Sequence, residues 1–334
     1  MNRTISLDLC RRGVLGIVLL AAGALAAADG LTVGAGLRTS VNFIEDGAPG
    51  GEDALNFDLD SVRLYTGGEV TEGVGFTFNT GYEAATNSIE ALDVIARFEF
   101  TDAFNIWAGR FLPPSDRSNL SGPYFLGHWN FPAAQRYPAI FAGRDEGVAV
   151  WGQTGGGAFK YQVGLFEGPD ALIPGGGDET LFAGRVVLNL LDPEPGYYNS
   201  STYFGTKNVL AFGLAVQSFD GGTGANLDVL YETDLGGPVL TLEGAYYSYD
   251  EFAGTDGSGG FVLAGVLFDG WQPTVRLQTL DFTGDPAGEQ TIGELSLNRI
   301  LDGHDARLSL VLGAVDPEFG DARSFVNFGV QLQL

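Results

Sequence analysis

The sequence predicts an all-β fold of one particular kind, a transmembrane antiparallel β-barrel of about 16 strands with a long inward-folded constriction loop. Three observations predict it. Apolar and polar residues alternate with period two through run after run from Leu31 to Leu334. Beyond the N-terminal segment no stretch of about twenty apolar residues occurs that could span a bilayer as a helix. The final run alternates up to the last residue, with Val326, Phe328, Val330, Leu332 and Leu334 against Asn327, Gly329, Gln331 and Gln333. A chain that crosses a membrane without helices must close its sheet, because open edges stay unsatisfied in hydrocarbon.

The first 28 residues read as a signal peptide. Arg3, Arg11 and Arg12 precede an apolar run from Val14 to Leu25 that is too short to span, and small residues offer cleavage after Ala26 or Ala28. Residues 29–334 are then the barrel, a single domain, since no repeat or linker divides them. The only cysteine, Cys10, lies in the leader, so the mature chain has no disulfides, thiolate metal sites or cysteine nucleophile. Acidic residues number 42 against 17 basic ones, and such a surface makes nucleic acid a poor partner. The acidity suits solubility, a salty habitat, or a field that favours cations.

The first strand places Leu31, Val33, Ala35 and Leu37 on one face and Thr32, Gly34, Gly36 and Arg38 on the other. An acidic gap from Glu45 to Asp53 leads to a run from Phe57 to Val70, whose phase slips near Asp60 and Ser61 as a bulge would make it. Thr71 and Glu72 turn the chain into Val74, Phe76 and Phe78. Further runs span Glu90 to Thr101, Phe104 to Phe111, Gly147 to Gln153, Phe159 to Phe166, Leu181 to Leu190 and Val209 to Gln217. Others span Leu227 to Thr233, Val239 to Tyr249, Phe261 to Phe268, Thr274 to Asp281, Thr291 to Arg299, Arg307 to Gly313 and Ser324 to Leu334. Short connections, such as those at Thr101 and at Asp269, alternate with connections expected to be longer, the pattern of periplasmic turns and external loops. Asp192 to Lys207 is the exception, long where a short turn belongs.

The alternation also assigns the two faces. Arg38, Arg63, Arg97, Lys160, Arg185, Arg276 and Arg307 all fall opposite the apolar residues of their strands. On the lipid side an arginine at the midplane would cost about 2–4 kcal/mol, so these seven are expected to line a lumen. Glu99, Glu243 and Glu294 share that face, giving a wall of mixed sign. Arg110 is ambiguous, because both phases of its strand hold apolar residues.

Leu112 to Arg144 reads as neither strand nor helix. Pro113, Pro114, Pro123, Pro132 and Pro138 deny it a ladder, while Tyr124, Phe125, Trp129, Phe131, Tyr137 and Phe141 need a surface to pack on. The inner wall of a barrel is that surface, so the segment is expected to narrow the pore with Arg110, Asp116, Arg117, Tyr124, Trp129, Arg136, Arg144 and Asp145. Its arginines could hold an anionic solute through forked hydrogen bonds, or pair with Asp116, Asp145 and Glu146 and pin the loop to the wall. Tyr124, Trp129 and Tyr137 could form a slide for sugars or pack the loop.

No enzyme is expected. His128 and His304 have no zinc or nucleophile motif beside them, and Ser118 or Ser121 with His128 matches no known local order. The carboxylates Glu45, Asp46, Glu52 and Asp53 lack the spacing of a calcium loop. No metal or cofactor is expected.

Val62-Arg63-Leu64-Tyr65, Val74-Gly75-Phe76, Gly109-Arg110-Phe111, then Pro114, Arg117 and Leu120, and finally Gly143-Arg144-Asp145 with Gly147-Val148 resemble the phosphate-selective porin O/P family. Asp192-Pro193-Glu194-Pro195-Gly196-Tyr197-Tyr198-Asn199 resembles the long inner turn of such porins. The resemblance implies a homotrimeric, sixteen-stranded porin of the Gram-negative cell outer membrane, embedded in lipid and lipopolysaccharide, that passes small hydrophilic solutes or ions, anions such as phosphate among them. It also implies an arginine ladder at Arg63, Arg110, Arg117 and Arg144; the family's lysine cluster has no counterpart, as only Lys160 and Lys207 are present. Two alternatives stay open: a cation-preferring general porin, and a barrel sleeve for a periplasmic partner protein.

Overall fold

A computed structural model describes residues 30–48, 51–83, 86–136, 143–168 and 179–334. The signal peptide, and Tyr137, Pro138 and Phe141 of the long loop, lie outside the described residues. Sixteen strands are present among the described residues: β1 (Leu31–Ala48), β2 (Glu52–Thr71), β3 (Val74–Glu83), β4 (Ser88–Thr101), β5 (Phe104–Phe111), β6 (Asp145–Thr154), β7 (Phe159–Phe166) and β8 (Leu181–Asn189). They continue with β9 (Val209–Phe219), β10 (Gly222–Asp234), β11 (Val239–Phe252), β12 (Thr255–Leu267), β13 (Trp271–Phe282), β14 (Gln290–Asp302), β15 (Ala306–Pro317) and β16 (Arg323–Gln333). Each pairs antiparallel with the next, and β16 pairs with β1 to close the barrel.

The burial pattern is inside out. Along β13 every second residue is exposed, with Val275 and Leu277 outside, while Gln272, Thr274, Arg276 and Gln278 are buried. In β16, Phe328 and Leu332 are exposed whereas Asn327 and Gln331 are buried. A band of exposed apolar side chains around a closed sheet fits a lipid solvent and would be a liability in water.

The bulge expected near Asp60 is there: Arg38 faces Ser61 and Ser40 faces Asp58, so two residues of β2 oppose Thr39 alone. The connections differ from expectation. The acidic gap after Glu45 is mostly strand, since β1 runs to Ala48 and β2 begins at Glu52. At Asp220-Gly221 the loop is a two-residue turn with φ of 46° and 78°, the same positive-φ pair as at Asp269-Gly270 (49° and 74°). Beyond the apolar band the ends of β1 and β2 carry exposed acidic residues, Glu45, Asp46, Glu52 and Asp53. Side chains need not alternate there, so sequence periodicity ends before the hydrogen-bonded ladder does.

Candidate functional site

The segment from Leu112 to Arg136 is tied to wall side chains on the face opposite the exposed apolar band. Its only helix, α1 (Arg117–Ser121), is capped by Asp116, which accepts from the Asn119 backbone N–H at 3.1 Å. The same carboxylate accepts from Gln135 Nε2 (3.0 Å) and Tyr247 Oη (3.1 Å), and burial pushes its pKa up to about 6. Gln217 donates to the Pro114 carbonyl, Gln278 accepts from Ala133 N, Arg276 donates to Asn130 O, Arg307 to Leu126 O and Gln331 to Tyr124 O. These partners stand on β9, β13, β15 and β16. The loop backbone, which has no ladder of its own, is thus satisfied by wall side chains.

Its two largest buried rings sit where the wall offers glycine. A Cβ at Gly36 would come within 2.5 Å of the Tyr124 ring, and one at Gly329 would meet the Trp129 ring inside van der Waals contact. Trp129 lies between two guanidinium groups, Arg38 at 3.9 Å from its centroid and Arg307 at 5.7 Å. Arg38 also donates to the Trp129 carbonyl at 2.6 Å.

Arg117 is the joint of the structure. Its fork binds Glu194 at 2.8 Å through both terminal nitrogens, one of which also donates to Ser200 O at 2.6 Å, and its Nε lies 3.6 Å from Asp228. Asp228 in turn takes a fork from Arg185 (2.6 and 2.9 Å). Burial works against the Glu194 carboxylate, yet the charge and hydrogen bonds of Arg117 hold it below the usual range. Glu194 belongs to residues 190–208, the long connection between β8 and β9, which packs onto residues 112–125. Within it Tyr197 stacks on Trp107 at 4.7 Å and donates to Leu112 O, and Ser201 N donates to Phe125 O. His304, in the turn between β14 and β15, sits 4.7 Å from both Phe125 and Phe204, its ring nitrogens facing the carbonyls of Tyr124 and Thr202.

The residues expected at the constriction separate. Tyr124 and Arg144 line a cavity of about 650 Å³. Asp116, Arg117 and Trp129 are buried in the packing just described. Arg136 pairs with Asp285 at 3.5 Å and lies 4.4 Å over Phe282. Asp145, at the start of β6, accepts from the backbone N–H groups of Glu146 and Gly168. Arg110 is a correction: it shares a face with Phe104 and pairs across strands with exposed Val94, and its guanidinium binds Glu146 at 2.9 Å on the outer surface. The cause is local, since Trp107 and Phe111 take the inner positions of β5.

Of the seven wall cations, Arg38, Arg63, Lys160, Arg185, Arg276 and Arg307 are buried, and Arg97 is partly so. Arg276 binds Glu294 (2.6 and 2.9 Å), Arg97 lies 3.3 Å from Glu99, and Lys160 donates to Tyr198 O. Arg144 holds Asp93 at 2.8 Å. Sequence reasoning missed Asp93, Glu194 and Asp228. Asp93 follows the phase slip in β4, and Glu194 lies in a segment without periodicity. Asp228, opposite Leu227 in an alternating strand, was within reach of the rule that found Glu243. Asp145, Glu146 and Glu167 each bring one oxygen within 4.8 Å of the others, yet Asp145 already holds two backbone N–H groups and Glu146 holds Arg110.

No protein-family model matches the chain, and no curated protein sequence matches it either. Solved structures do. An anion-selective porin from Comamonas acidovorans superposes with a TM-score of 0.62 at 14% identity, over 91% of this chain and 99% of that one. OprB of Pseudomonas putida, in its high-pH structure, gives 0.63 at 9% identity over 91% and 94%. A triple mutant of the Rh. blastica porin gives 0.62 at 12% identity over 91% and 100%. With its strand order, closure and inverted burial, the chain has the sixteen-stranded barrel fold of outer-membrane porins.

Proposed function

We propose that the mature chain is an outer-membrane porin, exported by its leader, through which small hydrophilic solutes diffuse passively, and that it assembles as a homotrimer in lipid and lipopolysaccharide. The observation that carries this reading is the inverted wall: apolar side chains outside, hydrogen-bonded polar ones inside, on a closed cylinder. The described part of the loop, residues 112–136, is bound to that inner face, narrows the lumen and leaves the 650 Å³ cavity beside β2 to β4. Purified protein in planar bilayers should give discrete, long-lived conductance steps. A silent bilayer with correctly folded protein would end the proposal.

The family resemblance favours phosphate, read by Arg63, Arg117 and Arg144, since Arg110 lies on the outer surface. Two of these three hold carboxylates at 2.8 Å, which compensates their charge. A second reading, modest cation preference, is supported by the strand ends and turns at the barrel end away from the termini, where Glu45, Asp46, Glu52, Asp53, Asp220 and Glu251 are exposed. Reversal potentials in a salt gradient decide between them.

A further inference from the structure

Two unlike sets of side chains line the cavity. One, on β2, β3 and β4 and at the end of the constriction segment, carries Arg63, Asn79, Asp93 and Arg144. Asp93 binds Arg144 and also accepts from Asn79 Nδ2 at 2.8 Å, so donors and acceptors sit side by side on a wall where Arg63 and Arg144 outnumber Asp93 by one charge, Lys207 and Asp305 elsewhere in the lining cancelling each other. The other, from the constriction segment and residues 190–208, carries the rings of Tyr124, Phe125, Tyr198 and Tyr203. Phe125 is 37% and Tyr198 36% exposed although their rings also pack on His304 and on Trp107 and Tyr197, so both residues keep surface open to a solute.

A bare oxyanion uses only half of this site. It could accept from Arg63 and Arg144 but would meet the Asp93 carboxylate, and it has no apolar face to set on the rings. A sugar uses both walls. Each hydroxyl donates and accepts, matching a wall that does the same, and the C–H face of a pyranose covers an aromatic ring. The cavity volume lies inside the range of about 300–1,000 Å³ typical of small-molecule sites. We propose that this cavity is a subsite for neutral carbohydrates of one or two rings, with Tyr198 as the stacking platform and the Asn79-Asp93-Arg144 row as the hydroxyl-reading wall; the inference rests on the porin reading for its route of access but not for its chemistry.

Planar-bilayer recordings with added maltose test it, with inorganic phosphate as the comparison. Maltose should reduce the current saturably at millimolar concentration, and phosphate should not. Tyr198→Ala should weaken the block about tenfold, Asn79→Ala should weaken it in the same direction, and Tyr198→Phe should retain it. Conducting channels indifferent to maltose, or blocked by phosphate alone, would overturn the proposal. If folded protein gives no current, the porin reading fails, and calorimetric titration of the detergent-solubilised barrel with maltose decides the subsite alone. Binding heat that Tyr198→Ala abolishes and Tyr198→Phe keeps would uphold it; no heat would sink it.

Discussion

Replacing Arg117 by alanine removes a guanidinium that is 1% exposed and joins three parts of the chain: the constriction segment, residues 190–208 and β10. Breaking a buried ion pair from one side costs about 3–5 kcal/mol, because the partner charge stays behind. Here the partners are not stripped bare. Asp228 keeps the fork of Arg185, and Glu194 keeps the Tyr203 hydroxyl at 2.6 Å. The lower end, about 3 kcal/mol, is therefore expected, which corresponds to about a hundredfold rise in the released population of the two segments. The barrel ladder is untouched, so the loss should appear as local opening rather than global unfolding. Limited proteolysis within residues 190–208 should quicken by about two orders of magnitude, and open-channel noise should grow. Glu194→Gln alone should act in the same direction. The double variant should cost less than the two singles added together, by at least about 1 kcal/mol. Strict additivity, or unchanged proteolysis in Arg117→Ala, would refute the idea that this pair holds the two segments together.

Other expectations follow from the same packing. Asp116 has a folded pKa raised from 3.8 to about 6, so the folded state binds its proton more tightly, and this stabilisation is full below 3.8 and lost as pH rises through 6. Relative to wild type, Asp116→Asn should gain about 2 kcal/mol between pH 4 and pH 7 in urea unfolding; a pH-independent difference would contradict the assignment. Gly329→Ala forces a methyl into the Trp129 ring and should cost about 1–3 kcal/mol, read as a lower unfolding temperature in detergent. Leu277→Arg on the lipid side of β13 should cost about 2–4 kcal/mol on folding into vesicles, whereas Leu235→Arg, in the exposed turn after β10, should cost little. Equal costs at the two sites would undo the assignment of the lipid face.

The strands were legible because lipid outside and polar contacts inside impose opposite demands on successive residues, and β13 and β16 obey them at nearly every position. The Asp-Gly turn at 220–221 was legible too, since it carries the same signal as 269–270, but the polar residues around it read as loop. The site was harder to read. A guanidinium on the inner face is visible as a parity, but the carboxylate it meets is not. Arg117 finds Glu194 only because two aperiodic segments fold against each other, and nothing in the spacing of either announces that contact. Arg110 misled for a related reason: in β5 the aromatic rings of Trp107 and Phe111 take the interior, which leaves the charge outside.

The seam between β1 and β16 pairs Leu37 with Leu332 and Asn42 with Asn327, residues from opposite ends of the chain. No cylinder can exist until β16 has been made, and until then both edges lie open and ready to pair with strangers. β16 is the piece whose arrival turns a ribbon into a tube and hides both edges at once.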